Sequence, residues 1–183
     1  SWVNDGTYNR EPGTVTLDGA SGTIDTNNNS FYNLVIPSGS TYTAQNENIA
    51  ITNRLVVPGT LKVKTALTFG TRFNEETGTI EFNGTSAQTI PQEVYYNLTV
   101  NTTGGNASVG ASYVQVGNDL TVGASSTVTC DTRAVWVTGD LVTNGSFLAG
   151  SGSVTFCGAS SQVQGSADTN FHNLFIQPAG TLA

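Results

Sequence analysis

Gly13-Thr-Val-Thr-Leu-Asp-Gly19 returns as Gly78-Thr-Ile-Glu-Phe-Asn-Gly84 and again as Gly152-Ser-Val-Thr-Phe-Cys-Gly158. Each copy alternates polar and apolar side chains between two glycines, the pattern of a short strand with one buried face and a turn at either end. An aromatic stands five residues before each copy (Tyr8, Phe73, Phe147), and a bulky apolar residue six before that (Trp2, Leu67, Leu141). Downstream comes an aromatic-Asn-Leu box: Phe31-Tyr-Asn-Leu-Val-Ile36, Tyr95-Tyr-Asn-Leu-Thr-Val100 and Phe171-His-Asn-Leu-Phe-Ile176. Matched landmarks in the same order define sequence repeats at 2–66, 67–140 and 141–183, the last cut short, within a single domain spanning 1–183.

A shorter step runs inside the long one: a small residue, then Thr or Ser, then an apolar residue. Gly22-Thr-Ile24, Ser40-Thr-Tyr42, Gly59-Thr-Leu61, Gln88-Thr-Ile90, Ala107-Ser-Val109, Ser126-Thr-Val128 and Gly145-Ser-Phe147 are examples, mostly sixteen to nineteen residues apart. No segment sustains helical spacing of apolar residues, whereas period-two pairs such as Val114/Val116, Val135/Val137 and Val154/Phe156 recur throughout. The expected fold is all-β: a parallel β-helix (β-solenoid) of about nine coils of roughly 19 residues, each coil stacking on the last at about 4.8 Å. A tandem of β-sandwiches is the alternative, since many short alternating strands also suit that fold.

Composition narrows the function. Only 10% of residues are charged against 37% apolar, the net charge is -7, and the six Lys and Arg are scattered. Nucleic acid is therefore not an expected partner, and no apolar run approaches the roughly 20 residues of a membrane helix. Ser1 is not followed by a leader-like segment, as in a mature secreted chain. Strand parity puts Cys130 inward with Val128 and Cys157 outward beside Phe156, which argues against an intrachain disulfide.

The run GTVTF-G, the aromatic-Asn-Leu-x-Ile box and the GTL step resemble the repetitive regions of large secreted and cell-surface proteins of bacteria, Bacteroidota-type surface repeats above all. They resemble more distantly the filamentous-haemagglutinin and pectin-lyase-like chains. That resemblance implies a right-handed parallel β-helix, secretion to the extracellular side or the cell surface, and a role as stalk, adhesin or fibre segment.

Residues that could carry chemistry are sparse. His172 is the single histidine, and it takes the position of Tyr32 and Tyr96 in the box, where a stacking role is expected. Asp18, Glu81 and Cys157 sit at or near corresponding positions, so an acid is not kept from copy to copy for paired-carboxylate catalysis. Thr-x-Thr pairs fall at different phases of the short step, unlike a flat ice-binding array, and the Asn-x-Ser/Thr sequons follow from composition. No enzyme activity, cofactor or metal is expected. Asn33, Asn97 and Asn173 are expected to bond backbone at tight corners or to form a ladder.

The third repeat stops early, which leaves a coil uncapped whether the chain is a fragment or a filament subunit. The expected function is a structural or adhesive segment of an extracellular fibre, associating head to tail with itself or continuing in a longer chain. Trp2 and Tyr8 at one end, and Phe171, Phe175 and Leu182 at the other, are the expected contacts. The alternatives are a polysaccharide-acting β-helix enzyme and a carbohydrate-binding module, with glycans as partners. A binding module would present an exposed aromatic row drawn from Tyr32, Tyr42, Tyr95 and Tyr113.

Overall fold

The computed structural model describes residues 1–6, 11–45, 48–70, 72–74 (backbone only) and 77–177. Every described element is a β-strand and every described strand pairing is parallel, so the chain is a parallel β-solenoid of about eight turns. Residues in register on adjoining coils lie 18 to 22 positions apart, as in Ile49↔Leu67, Thr41↔Thr60, Tyr113↔Ala134 and Leu141↔Val163. The short step of sixteen to nineteen residues thus reads the coil slightly short.

Two compact units divide between Asn83 and Gly84. The first holds β1 (Trp2–Val3), β2 (Thr14–Thr16), β3 (Ser21–Asp25), β4 (Ser30–Val35), β5 (Thr41–Ala44), β6 (Ile49–Val56), β7 (Thr60–Val63), β8 (Leu67–Phe69), β9 (Arg72–Asn74) and β10 (Thr79–Phe82). One of its sheets runs β1-β3-β5-β7-β10; the other runs β2-β4-β6-β8, with β9 also on β6. Because Cβ directions alternate along a strand, each register row becomes a column of like-facing side chains. Tyr42, Leu61 and Ile80 form one inward column and Ile24, Ala44, Val63 and Phe82 another, all buried. Tyr42 fits only because Gly22 lies beside it: a Cβ there would come within 2.7 Å of the Tyr42 ring.

The second unit holds β11 (Gln88–Ile90), β12 (Val94–Tyr95), β13 (Asn97–Val100), β14 (Asn106–Val109), β15 (Tyr113–Val116), β16 (Leu120–Val122), β17 (Thr127–Thr129), β18 (Ala134–Val137), β19 (Leu141–Thr143), β20 (Ser146–Leu148), β21 (Ser153–Phe156), β22 (Val163–Gln164) and β23 (Asn173–Ile176). Each coil contributes one strand to each of three faces: β11-β14-β17-β20, β12-β15-β18-β21-β23 and β13-β16-β19-β22. Cys130 is buried beside Val128 as parity predicts, Cys157 is half-buried, and both thiols are free. Burial and the nearby Asp131 carboxylate push the Cys130 thiol up to about 12.

The three copies of the opening stretch land on three different sheets: the first in β2, the second in β10 and the third in β21. A repeat of 65 residues is a little over three coils and not the four that counting short steps suggests, so each copy advances around the coil. The short step switches sheets too, lying in β5 and β7 at Thr41 and Thr60 but in β11, β14 and β17 further on. The physical reason is that a small residue followed by Thr and an aliphatic is the grammar of entry into any strand, not the mark of one face.

Candidate functional site

Among the described residues, the stacking pattern stops at the last coil of the second unit. Val114, Val135 and Val154 form an inward column that ends in Leu174; Val116, Val137 and Phe156 form one that ends in Ile176; Leu98, Leu120 and Leu141 form one that ends in Val163. The nine lower members are at most 4% exposed, whereas Val163, Leu174 and Ile176 are 45%, 47% and 69% exposed. Phe171 lies among these columns, its ring 6.3 Å from both Phe147 and Phe156. A groove of about 440 Å³ beside it is lined by Phe147, Leu148, Asp168, Phe171 and His172, among others. His172 is exposed on the flank of Phe171, so the stacking position in the box is the first aromatic, not the second. Phe31 and Tyr95 agree, both fully buried while Tyr32 and Tyr96 are half-exposed.

The residues expected to mediate association separate into groups. Trp2 packs its ring on Phe31 at 4.8 Å, in register with Ile24, and so occupies the inward column of the first coil. Beside it, Val15 heads the Leu34 column and is half-exposed where Leu34 and Leu55 are buried. Tyr8 and Leu182 lie outside the described residues. Phe175 does not point along the stack, because it pairs with Thr155 on the outward parity of β23. Leu174 and Ile176 hold the end-on positions instead. The sequence signal for them was the box itself: its Leu and its Ile or Val are buried at Leu34/Ile36 and Leu98/Val100, and open at Leu174/Ile176.

The box asparagines occupy three sheets, in β4, β13 and β23, and each bonds between coils. Asn33 donates to Thr14 Oγ1 at 3.1 Å and accepts from Asn53 at 2.7 Å. Asn97 Oδ1 accepts from Asn118 Nδ2 at 2.8 Å, and Asn173 donates to the Gly152 carbonyl at 3.3 Å. The Asn97 corner continues as an acidic ladder: the Asp140 amide donates to Asp119 Oδ1, and the Gln162 amide and Gln164 Nε2 donate to the Asp140 carboxylate, all at 2.8 to 2.9 Å. Asp119 and Asp140 each precede the strand-opening leucine, as Asn97 does, and that shared position is the signal that would have found them.

The remaining candidates scatter. Asp18 is exposed, while Glu81 is nearly buried and paired with Lys62 at 2.8 Å. Tyr42 and Tyr95 are buried, Tyr95 donating its hydroxyl to the Pro91 carbonyl at 2.9 Å. Of the four tyrosines named for an aromatic row, Tyr113 has an outward ring partner, Trp136, at 4.8 Å. Trp136 was legible from parity, since Val135 and Val137 on either side point inward. Among the described residues no group of three or more His, Cys, Asp or Glu could hold a metal ion, and none of the helix type needed to cross a membrane is present. No protein-family model matches the chain, and neither a curated protein nor a solved structure matches it.

Proposed function

We propose that this chain is a structural segment of an extracellular surface fibre or stalk that lengthens by stacking coil on coil with further copies of itself. One observation carries the reading: the same Leu-x-Ile/Val box is sealed in two copies and open in the third, at Leu174 and Ile176. An inward aliphatic column that ends open, next to β22 and β23 as the last strands of their sheets, matches one kind of cover, another coil of the same parallel register. The half-exposed Trp2 and Val15 columns of the first coil offer that complement on a second copy. A mechanical rather than catalytic role is supported by how the polar side chains are used, since the box asparagines and the Asp119-Asp140 ladder bond one coil to the next. The extracellular setting rests on the likeness of the repeat grammar to bacterial surface repeats.

The test is sedimentation of the purified chain over a concentration series, with negative-stain microscopy of the same samples. Particles that lengthen with concentration at constant width are expected. A chain that stays monomeric up to millimolar concentration, or that forms only side-by-side pairs of constant length, overturns the reading.

A further inference from the structure

The outer face of the β15-β18-β21-β23 sheet carries a feature that coil stacking does not use. Its outward residues are Tyr113 and Gln115 on β15, Ala134 and Trp136 on β18, Ser153 and Thr155 on β21, and Asn173 and Phe175 on β23. Not one of them is charged, in a chain whose net charge is -7. The Tyr113 and Trp136 rings meet at 4.8 Å with a 37° tilt, while Trp136, Thr155 and Phe175 share one register column. Thr155 faces outward yet is only 3% exposed, so the side chains beside it in its column cover it. Trp136 and Phe175 are two strand spacings apart, about 9.6 Å, far enough to meet alternate rings of one extended ligand. Where Tyr113 and Ala134 begin their strands, a groove of about 490 Å³ lined by Ala111, Ser112, Thr132 and Arg133 opens beside them. The Arg133 charge is offset there by Asp131 at 3.3 Å, and its Nε is held by the Ala111 carbonyl at 3.1 Å.

We infer that this face binds a neutral polysaccharide, with Trp136, Tyr113 and Phe175 as the stacking platform and Gln115, Ser153 and Asn173 as hydrogen-bonding partners. A sugar ring has an apolar C–H face and a rim of hydroxyls, and uncharged amide and hydroxyl groups around aromatic faces complement both. Aromatic side chains supply this kind of contact because they bring large area with little rotamer entropy to lose. Charge decides between ligand classes: an uncharged platform on an acidic chain does not compensate an anionic polysaccharide, and desolvating its carboxylates there is uncompensated. The inference stands apart from coil stacking, because it uses the side of the sheet and not its edge.

The experiment is native affinity electrophoresis of the full chain, at a concentration where sedimentation gives monomer. The gels hold hydroxyethyl cellulose, galactomannan or xylan, with carboxymethyl cellulose as the charged counterpart of the first. Retardation by at least one neutral polymer and none by carboxymethyl cellulose is expected. Trp136→Ala should weaken retention at least tenfold, Trp136→Phe should restore most of it, and Thr68→Ser, at an exposed position on β8, should leave it unchanged. If Trp136→Ala proves unstable by circular dichroism, Tyr113→Ala and Phe175→Ser provide the same loss on neighbouring coils. Failure with all three neutral polymers, or retention that survives these substitutions, overturns the inference, as does stronger retention by carboxymethyl cellulose.

Discussion

Replacing Ile176 by Asp tests the open coil at its most exposed core position. Fully burying an aliphatic side chain is worth about 1.5–3 kcal/mol. The open fractions of Val163, Leu174 and Ile176 together amount to roughly one and a half such side chains, or about 2.5–5 kcal/mol. Association itself costs about 4–15 kcal/mol, so apolar burial alone does not hold two copies together. The strand edges must add backbone hydrogen bonds at about 0.5–1.5 kcal/mol each. The account therefore expects weak assembly, with a dissociation constant of roughly micromolar or above. Ile176→Asp removes about 1–2 kcal/mol of that burial and places a carboxylate in the contact, at a further desolvation cost of about 1–3 kcal/mol. Sedimentation should show dissociation constants raised about 30- to 5000-fold. Ile176 is already 69% exposed in the single chain, so the substitution should shift stability by no more than about 0.5 kcal/mol. Unchanged assembly refutes the reasoning. So does a lower Tm with assembly intact, which would mean Ile176 is packed within its own chain.

Further outcomes follow from the same geometry. Like-charged copies repel, so raising the salt from about 10 mM to 150 mM should strengthen assembly by screening the -7 charge. Gly59→Ala would put a Cβ 2.2 Å from the Pro37 carbonyl oxygen; a cost on the order of 3 kcal/mol should lower Tm by about 6–12 °C, and an unchanged Tm would show that the coils are not so tightly stacked there. A thiol reagent at pH 8 should label Cys157 in the folded chain and both cysteines after unfolding, since Cys130 is buried with its thiol at about 12. The sign for alkaline stability is also set. Between the unfolded thiol value near 9 and about 12 the unfolded state has lost a proton that folded Cys130 keeps, so stability falls as pH rises, by up to about 1.4 kcal/mol per pH unit. Tyr95, raised well above its usual value by burial, extends the loss to higher pH, and Cys130→Ala should remove the first part of the slope in denaturant titrations.

Which parts of this could be read from the chain follows from what side-chain patterning encodes. Period-two alternation and a step near nineteen residues specify a parallel coil, because only stacked copies give each inward residue a partner above and below. Alternation also fixed the facing of Cys130 and of Trp136. It carries no information on which face of the coil a strand joins, which depends on the length of each corner. Hence the three landmark copies, and Asn33, Asn97 and Asn173, looked equivalent yet lie on three sheets. Phe175 looked like an end contact through its bulk, whereas parity sends it sideways and leaves Leu174 and Ile176 facing the end. The Asp119-Asp140 ladder escaped notice because Asn and Asp were read as different letters, although either can accept the amide of the next coil.

Hydrogen exchange of the full chain, followed by mass spectrometry across a concentration series, reaches the central claim most directly. In dilute solution the edge amides of β22 and β23, and of β1 and β2, should exchange rapidly, while the inner strands stay protected. As concentration rises both edges should gain protection together, with the amides of β15, β18 and β21 unchanged. Protection gained only at β15, β18 and β21, or edges that exchange equally fast at every concentration, would contradict coil-on-coil stacking.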